Sequence, residues 1–153
     1  MTQTFMELKN NEQCSHCGRF ANRGVSIDAI IVKDDSILLI KRGANPFKDY
    51  WALPGGYVEW DESAEDAVKR EVKEELGLSV SKVSLVGAYS NPSRHPKQVI
   101  NLAYSVEASG QPRPGDDAAG LAWYKLNELP ADLAFDHKLI IEEFLNKNGK
   151  AKS

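Results

Sequence analysis

Cysteine, methionine and histidine are scarce in this chain, with two, two and three residues among 153. Two cysteines in a single C-x-x-C give no disulfide framework, which excludes a bridge-stapled secreted scaffold and makes a reducing cytoplasm the expected setting. No apolar run approaches a membrane span, and the opening residues MTQTFMELKN lack the apolar core of a secretion signal. Nor is basic charge in excess. With 19 Lys and Arg against 22 Asp and Glu, the net charge is −3, which argues against a broad nucleic-acid-binding surface. One phosphorylated ligand, held by a few basic residues and a metal, stays compatible with that balance. There is no internal repeat and no long low-complexity linker. What is present is a 42% hydrophobic chain of ordinary single-domain length, enough for a real core.

The most informative stretch runs from Gly55 to Leu78, GGYVEWDESAEDAVKREVKEELGL. It reads as a turn followed by one helix, with Ala64, Ala67, Val68, Val72 and Leu76 at helical spacing on a core-facing stripe. At about 100° per residue, Glu74 and Glu75 fall within roughly 60° of Glu71, in the same arc as Ala64, Ala67 and Val68. Three glutamates therefore share the stripe that propensity would assign to leucine, while Lys69, Lys73, Glu65 and Asp66 take the other side. A solvated, ion-paired helix is the plain alternative, and Arg70–Glu74 has the spacing for it. Glu71–Glu75 has the same spacing with like charges, which destabilises an isolated helix. Close carboxylates raise one another's pKa unless a cation sits among them, and hard divalent cations such as Mg²⁺ or Mn²⁺ take oxygen ligands of this kind. Ser63 or Asp61 is the expected N-cap, and Gly77 the left-handed residue that ends the helix.

Gly56, Glu62, Arg70, Glu71, Val72, Glu74, Glu75, Gly77 and Leu78 fit G-x5-E-x7-R-E-U-x-E-E-x-G-U, with U aliphatic, at every defined position. This pattern resembles the Nudix box of the Nudix hydrolase superfamily. The resemblance covers about residues 24–146 and implies an α/β fold: an α/β/α sandwich with a mixed sheet and a catalytic loop-helix-loop. It implies that Glu71, Glu74 and Glu75, with the Gly55 carbonyl, hold Mg²⁺ or Mn²⁺, and that Arg70 orients the glutamates through ion pairs. The organisation read from the chain is an N-terminal extension at 1–23, the catalytic domain at 24–146 and a frayed tail at 147–153.

In chain order, Val25 to Val32 and Ile37 to Lys41 read as two strands joined by a polar turn. Lys41 and Arg42 lead into the loop GANPFKDY and the short strand and turn at Trp51–Gly56. Arg42 is the favoured phosphate ligand there, because a guanidinium forks onto phosphate oxygens. Phe47, Tyr50 or Trp51 could stack on a base. Further strands follow at Val80 to Tyr89, Gln98 to Glu107 and Leu121 to Lys125. The irregular loop Asn91 to Pro96 interrupts the first two. A last helix follows Asp136, its expected N-cap, with Leu139, Ile140 and Phe144 on one side. The predicted order is β-β-β-α-β-β-β-α.

The segments Tyr89-Ser-Asn-Pro-Ser-Arg94-His95-Pro96, Gly115-Asp-Asp-Ala-Ala and Ala134-Phe-Asp-His137 resemble the ADP-ribose pyrophosphatases within the superfamily. Two departures stand out: His95 where that group often has Asp, and Gly120 where it often has an acid. The second leaves Asp116 or Asp117 as the distal carboxylate, unless these are plain solvated turn residues. The expected reaction is metal-assisted attack of water on the pyrophosphate of ADP-ribose or a related nucleotide sugar, giving AMP and a sugar phosphate. Arg42, Trp51, Arg94 and Asp117 are the candidate substrate contacts, and a helix glutamate or an acid of the Asp116 loop the candidate base. His95 and His137 read more readily as structural. A nucleoside triphosphate pyrophosphatase and a non-catalytic nucleotide-sugar sensor are the alternatives, and a homodimer is an expectation from the resemblance.

Cys14-Ser-His-Cys17-Gly18 looks like one knuckle of a zinc ribbon. A complete Zn²⁺ site needs four ligands and the chain has no second C-x-x-C, which weighs against zinc within one chain. Some Nudix families carry a four-cysteine ribbon upstream of the catalytic domain, so this is readable as a degenerate remnant. A site shared across a dimer is the other way to complete it.

Overall fold

A computed structural model of the chain describes residues 12–115 and 118–149. Asp116, Asp117 and the last four residues of the expected tail lie outside them, as do residues 1–11 of the extension. Among the described residues there are eight strands and two helices: β1 (Val25–Ile30), β2 (Val32–Lys33), β3 (Ser36–Arg42), β4 (Trp51–Ala52), β5 (Gly55–Tyr57), α1 (Ala64–Leu76), β6 (Ser79–Tyr89), β7 (Ile100–Ser109), β8 (Ala118–Lys125) and α2 (His137–Lys147). A short 3-10 turn at Pro92–Arg94 falls in the loop where two prolines had argued against a strand.

The strands form two sheets. One has the order β5-β1-β7-β6 and is mixed, with β1 antiparallel to β5 and parallel to β7. The other pairs β2, β4 and β8 with β3, all antiparallel. The expected first strand therefore divides at Ile31, because β1 belongs to one sheet and β2 to the other. Of the segment read as a short strand and turn at Trp51–Gly56, the strand is β4, and the turn at Leu53-Pro54, where proline has no N–H to give a ladder, leads into β5 of the other sheet. A run of apolar residues cannot reveal such a change of partner. Strand β8 also starts at Ala118, three residues before the expected Leu121.

Alternation along the central strands separates two cores. Ile27, Ala29 and Ile31, with Leu38 and Ile40, pack against Ala67, Val68, Val72 and Leu76 of α1. Ile30, with Ile37 and Leu39, packs against Ile140, Ile141, Phe144 and Leu145 of α2. The sheets thus lie between the helices, and the architecture is α/β/α. Each fully buried Val or Leu of α1 contributes about 1.5–3 kcal/mol by leaving water. Helix α1 starts at Ser63, whose hydroxyl accepts the Asp66 N–H at 3.1 Å, and ends at Gly77 with φ 70°.

Helix α2 departs from expectation at two places. Leu139 is 48% exposed while Ile141 and Leu145 join the core, so the buried face is rotated from the one read in sequence. Asp136 occupies the N-cap position without capping. Its carboxylate instead accepts two bonds from Arg94, at 2.8 and 2.9 Å, where a planar guanidinium matches both oxygens.

Candidate functional site

Strand β5 is the shared wall of two adjoining regions, a carboxylate cluster on one side and a cleft on the other. The cluster is organised by Arg70, whose guanidinium bonds Glu62 at 2.7 and 2.9 Å, Glu71 at 2.8 Å, Glu74 at 3.3 Å and the Tyr57 carbonyl at 3.0 Å. Glu59 lies 3.7 Å from the same group. Glu75 takes a different partner, accepting the Gly55 N–H at 3.0 Å. Helical spacing thus places Glu71 and Glu75 inward, half-buried, while Glu74 stays exposed at the rim.

The electrostatics follow from that placement. Burial pushes the Glu75 carboxyl up to about 8, helped by the charge of Glu71 and opposed by the Gly55 N–H. Burial also raises Glu71, against the pull of Arg70. Glu62 goes the other way, held at about 2 by its bonds to Arg70 and to the Glu59 N–H. Two inward carboxylates at raised pKa mark a place short of positive charge. The glycines keep it open: a Cβ on Gly56 would run into the Glu71 carboxylate, and one on Gly55 into the Ile27 carbonyl oxygen. Among the described residues no three His, Cys, Asp or Glu side chains already converge as a ligand set, since Arg70 engages Glu71 and Glu74. An oxygen-only donor set, partly buried and reached past Cβ-less backbone, fits a hard divalent cation.

The cleft, about 250 Å³, is lined by Asp28, Arg42, Gly55, Gly56, Lys97 and Phe135 among others. Pairing of β3 with β8 slips between Lys41 and Arg42, and such a bulge re-aims the residues around it. Lys41 leans over Trp51, whereas Arg42 enters the cleft over the Phe135 ring at 5.0 Å, its Nε held by the Pro46 carbonyl at 2.8 Å. Burial lowers the Arg42 pKa while Asp28 and Glu75 counter it, so this cation faces both acids. Phe135 also stacks on His95, 4.9 Å between centroids and nearly coplanar, and meets Phe47 edge-on at 4.8 Å. A larger groove of about 500 Å³, around Trp123 and the 109–112 loop, has Lys33 and Glu107 as its charged liners and no carboxylate cluster beside it.

A buried polar chain underlies the cleft. Ser26 donates to Asn101 Oδ1 at 3.0 Å, and Asn101 Nδ2 donates to Asp28 Oδ2 at 2.7 Å. His137 Nε2 lies 3.0 Å from the same Asp28 oxygen, and His137 Nδ1 accepts the Leu53 N–H at 3.0 Å. With Nδ1 accepting, the ring proton lies on Nε2 and is donated to Asp28. Asp28 is in register with Gly55 across β1 and β5. The first residue of α2 therefore fixes the backbone that leads into the glycine pair.

The structure gathers Gly55, Glu71, Glu75 and Arg70 on one side of β5 and Arg42 on the other. Arg94 reaches the same cleft but is 4% exposed and committed to Asp136 and to the Val99 carbonyl. Trp51 lies apart, packed on Tyr124 at 5.1 Å. Asp117 is outside the described residues, and Cys14 and Cys17 form a separate turn near Trp60. Sequence reading missed Asp28, Asn101 and Phe135. An acid at the centre of the apolar run VSIDAIIV was the available signal for Asp28.

The NUDIX domain model matches residues 22–144. The ADP-ribose pyrophosphatase of Methanocaldococcus jannaschii is 47% identical over 133 residues, 85% of this chain and 78% of that protein. A putative 8-oxo-dGTP diphosphatase of Bacillus subtilis is 36% identical, covering 76% and 77% respectively. The crystal structure of a MutT NUDIX hydrolase from Burkholderia pseudomallei superposes with a TM-score of 0.74 at 34% identity, over 80% of this chain and 98% of that one.

Proposed function

This chain belongs to the NUDIX domain family and is a Nudix hydrolase, and on that premise we propose that it cleaves the pyrophosphate of ADP-ribose or a related nucleotide sugar to AMP and a sugar phosphate. The observation that carries the reading is the juxtaposition across β5 of an acidic cluster with a cleft holding Arg42, Lys97 and the Phe135–His95 stack. A pyrophosphate flanked by a nucleoside and a sugar needs both: cations beside its oxygens and flat apolar surface for its base. Similarity to the M. jannaschii enzyme favours ADP-ribose within that class.

In this reading Glu71, Glu74, Glu75 and the Gly55 carbonyl would hold Mg²⁺ or Mn²⁺. Such an ion supplies charge neutralisation for the pyrophosphate and acidifies water. Arg70 orients Glu71 and Glu74 through its ion pairs with them. Arg42 forks onto a phosphate oxygen, with Asp28 and Glu75 holding its charge in place. Arg94 acts at one remove, tying the 91–99 loop to α2 through Asp136, so that His95 stays against Phe135. A helix glutamate or an acid of the Asp116 loop takes the proton of the attacking water.

The runner-up substrate is a nucleoside triphosphate, cleaved to the monophosphate and pyrophosphate, favoured by the likeness to the B. subtilis protein. Product analysis with Mg²⁺ separates the two. AMP and ribose 5-phosphate from ADP-ribose, lost in Glu74→Gln/Glu75→Gln and with KM raised about 10-fold or more in Arg42→Ala, is the expected outcome. Pyrophosphate from a triphosphate, with ADP-ribose untouched, would transfer the assignment to the runner-up.

A further inference from the structure

Two arginines fix the 90–98 loop that forms one wall of the cleft. Arg23 donates from Nε to the Gln98 carbonyl at 2.6 Å and from Nη2 to the Ser90 carbonyl at 2.7 Å, so one guanidinium ties both ends. Arg94 ties the middle to Asp136 and to the Val99 carbonyl. Within the loop, Asn91 Oδ1 accepts the Ser93 N–H at 2.9 Å, and the Gln98 N–H bonds the His95 carbonyl at 2.8 Å. Side chains carried on such a frame are presented ready for a ligand.

His95 does two separable things on this loop. Pro96 has no N–H, so the next donor along the chain is that of Lys97, and His95 Nδ1 accepts it at 2.9 Å. Asn or Asp would serve that turn equally, since their side-chain oxygens accept from the backbone two residues on. What imidazole adds is its second nitrogen. Burial lowers the His95 pKa, as do the charges of Arg94, Lys97 and Arg42, against the opposing pull of Asp136, so the ring is neutral at neutral pH. A neutral ring whose Nδ1 accepts carries its proton on Nε2. Nε2 has no partner among the described residues, and none of their buried side-chain nitrogens is left unpaired, so this N–H is open to solvent in a residue that lines the cleft.

The neighbours decide what that N–H suits. Arg42 lies over the Phe135 ring on which His95 stacks, and Lys97 lines the same cleft. Asp28, the acid among the lining residues, is 7% exposed and already accepts from Asn101 and His137. Two cations and a neutral donor thus share one wall, and the acceptor that matches them is a phosphate oxygen.

Resting on the pyrophosphatase reading above, we propose that His95 is a phosphate-binding residue, its Nε2–H donating to an oxygen of the substrate diphosphate beside Arg42. The contact selects the diphosphate and is indifferent to base and sugar. Lys97 adds charge from the same loop, and Arg23 positions both by holding its ends. An aspartate in place of His95 would keep the turn and repel the same oxygen.

The test is steady-state kinetics of His95→Asn, His95→Phe and His95→Asp with Mg²⁺, on ADP-ribose and on nucleoside diphosphate sugars that differ in base or sugar. His95→Asn keeps the turn without Nε2, and His95→Phe keeps a ring against Phe135 without a donor. Expected is a kcat/KM lower by about 10-fold or more in both, by the same factor on every substrate. His95→Asp should fall further, because its carboxylate faces the phosphate. Parent-like kcat/KM in His95→Asn or His95→Phe would overturn the proposal. So would a loss that changes with base or sugar, one that follows a fall in Tm in both variants, or a His95→Asp enzyme as active as His95→Asn. A parent that leaves ADP-ribose intact and cleaves a triphosphate marks failure of the nucleotide-sugar reading instead; the same variants, measured on that triphosphate, then decide the role of His95 by the same criteria.

Discussion

Replacing His137 by Phe tests how the buried polar chain supports the site. The phenyl ring is somewhat larger than imidazole, so the change removes the hydrogen bonds without opening a cavity. His137 is 3% exposed, Leu53 2% and Asp28 7%, and water cannot take over the lost bonds without disrupting both cores. The Leu53 N–H loses its acceptor, a cost of about 1–3 kcal/mol for a buried donor left unpaired. Asp28 Oδ2 loses one of its two donors, about 1.5–3 kcal/mol for a bond to a charged group. The sum, about 2.5–6 kcal/mol, corresponds to a fall in Tm of roughly 5–24 °C for a domain of this length. Scanning calorimetry reads the first effect. Amide exchange reads the second, because the Leu53 N–H should pass from among the slow protons to the fast ones. His137→Ala should lose about another 1–2 kcal/mol to the cavity. A His137→Phe protein melting within about 3 °C of the parent, with the Leu53 amide still protected, would refute the argument that α2 pins the backbone leading into Gly55.

Two further outcomes follow from the site. Glu75, raised from 4.5 to about 8 by burial and by Glu71, binds its proton more tightly folded than unfolded. In chelator its stabilising contribution is therefore complete below about pH 4.5 and lost as pH rises to about 8. Tm should fall across that window in the parent and less in Glu75→Gln, and Mg²⁺ should flatten the parent's slope; equal slopes in both proteins would reject the assignment. The two glycines should separate stability from activity. Gly55→Ala meets backbone at Ile27 and should cost at least about 2 kcal/mol by overpacking, whereas Gly56→Ala meets the movable Glu71 carboxylate and should lose turnover with a smaller change in Tm. Urea melts beside turnover measurements decide it, and the reverse order would contradict the geometry.

Local rules were legible where one element answered to one periodicity. The length of α1, its Ser63 cap, its Gly77 terminus and the inward Glu71 and Glu75 all come from local spacing, with no need of distant partners, whereas Glu74, expected on the same stripe, stays exposed. Resemblance to the Nudix box then named the chemistry. The misplacements share a cause. Val25 to Val32 changes sheets midway, and Gly55–Tyr57, read as a turn, pairs with β1, and both depend on which strands arrive alongside. Leu139 was read as buried because helical spacing gives a face without giving its angle to the sheet. Asp136 was read as a cap because the composition of its segment could not show Arg94, 42 residues earlier, arriving at bonding distance.

By itself the sequence determined the helix that carries the glutamates, its apolar stripe and the family, because these are encoded in short-range spacing. The tertiary structure decided which carboxylates are buried, which of Lys41 and Arg42 faces the cleft, and that Arg94 is tied to Asp136. It also joined Ser26, Asn101, Asp28 and His137, which lie up to 111 residues apart, into one chain beneath Gly55. Burial and charge pairing are properties of assembled surfaces. A carboxylate acquires its pKa, and a guanidinium its partner, when strands and helices from distant parts of the chain exclude water from the same few ångströms.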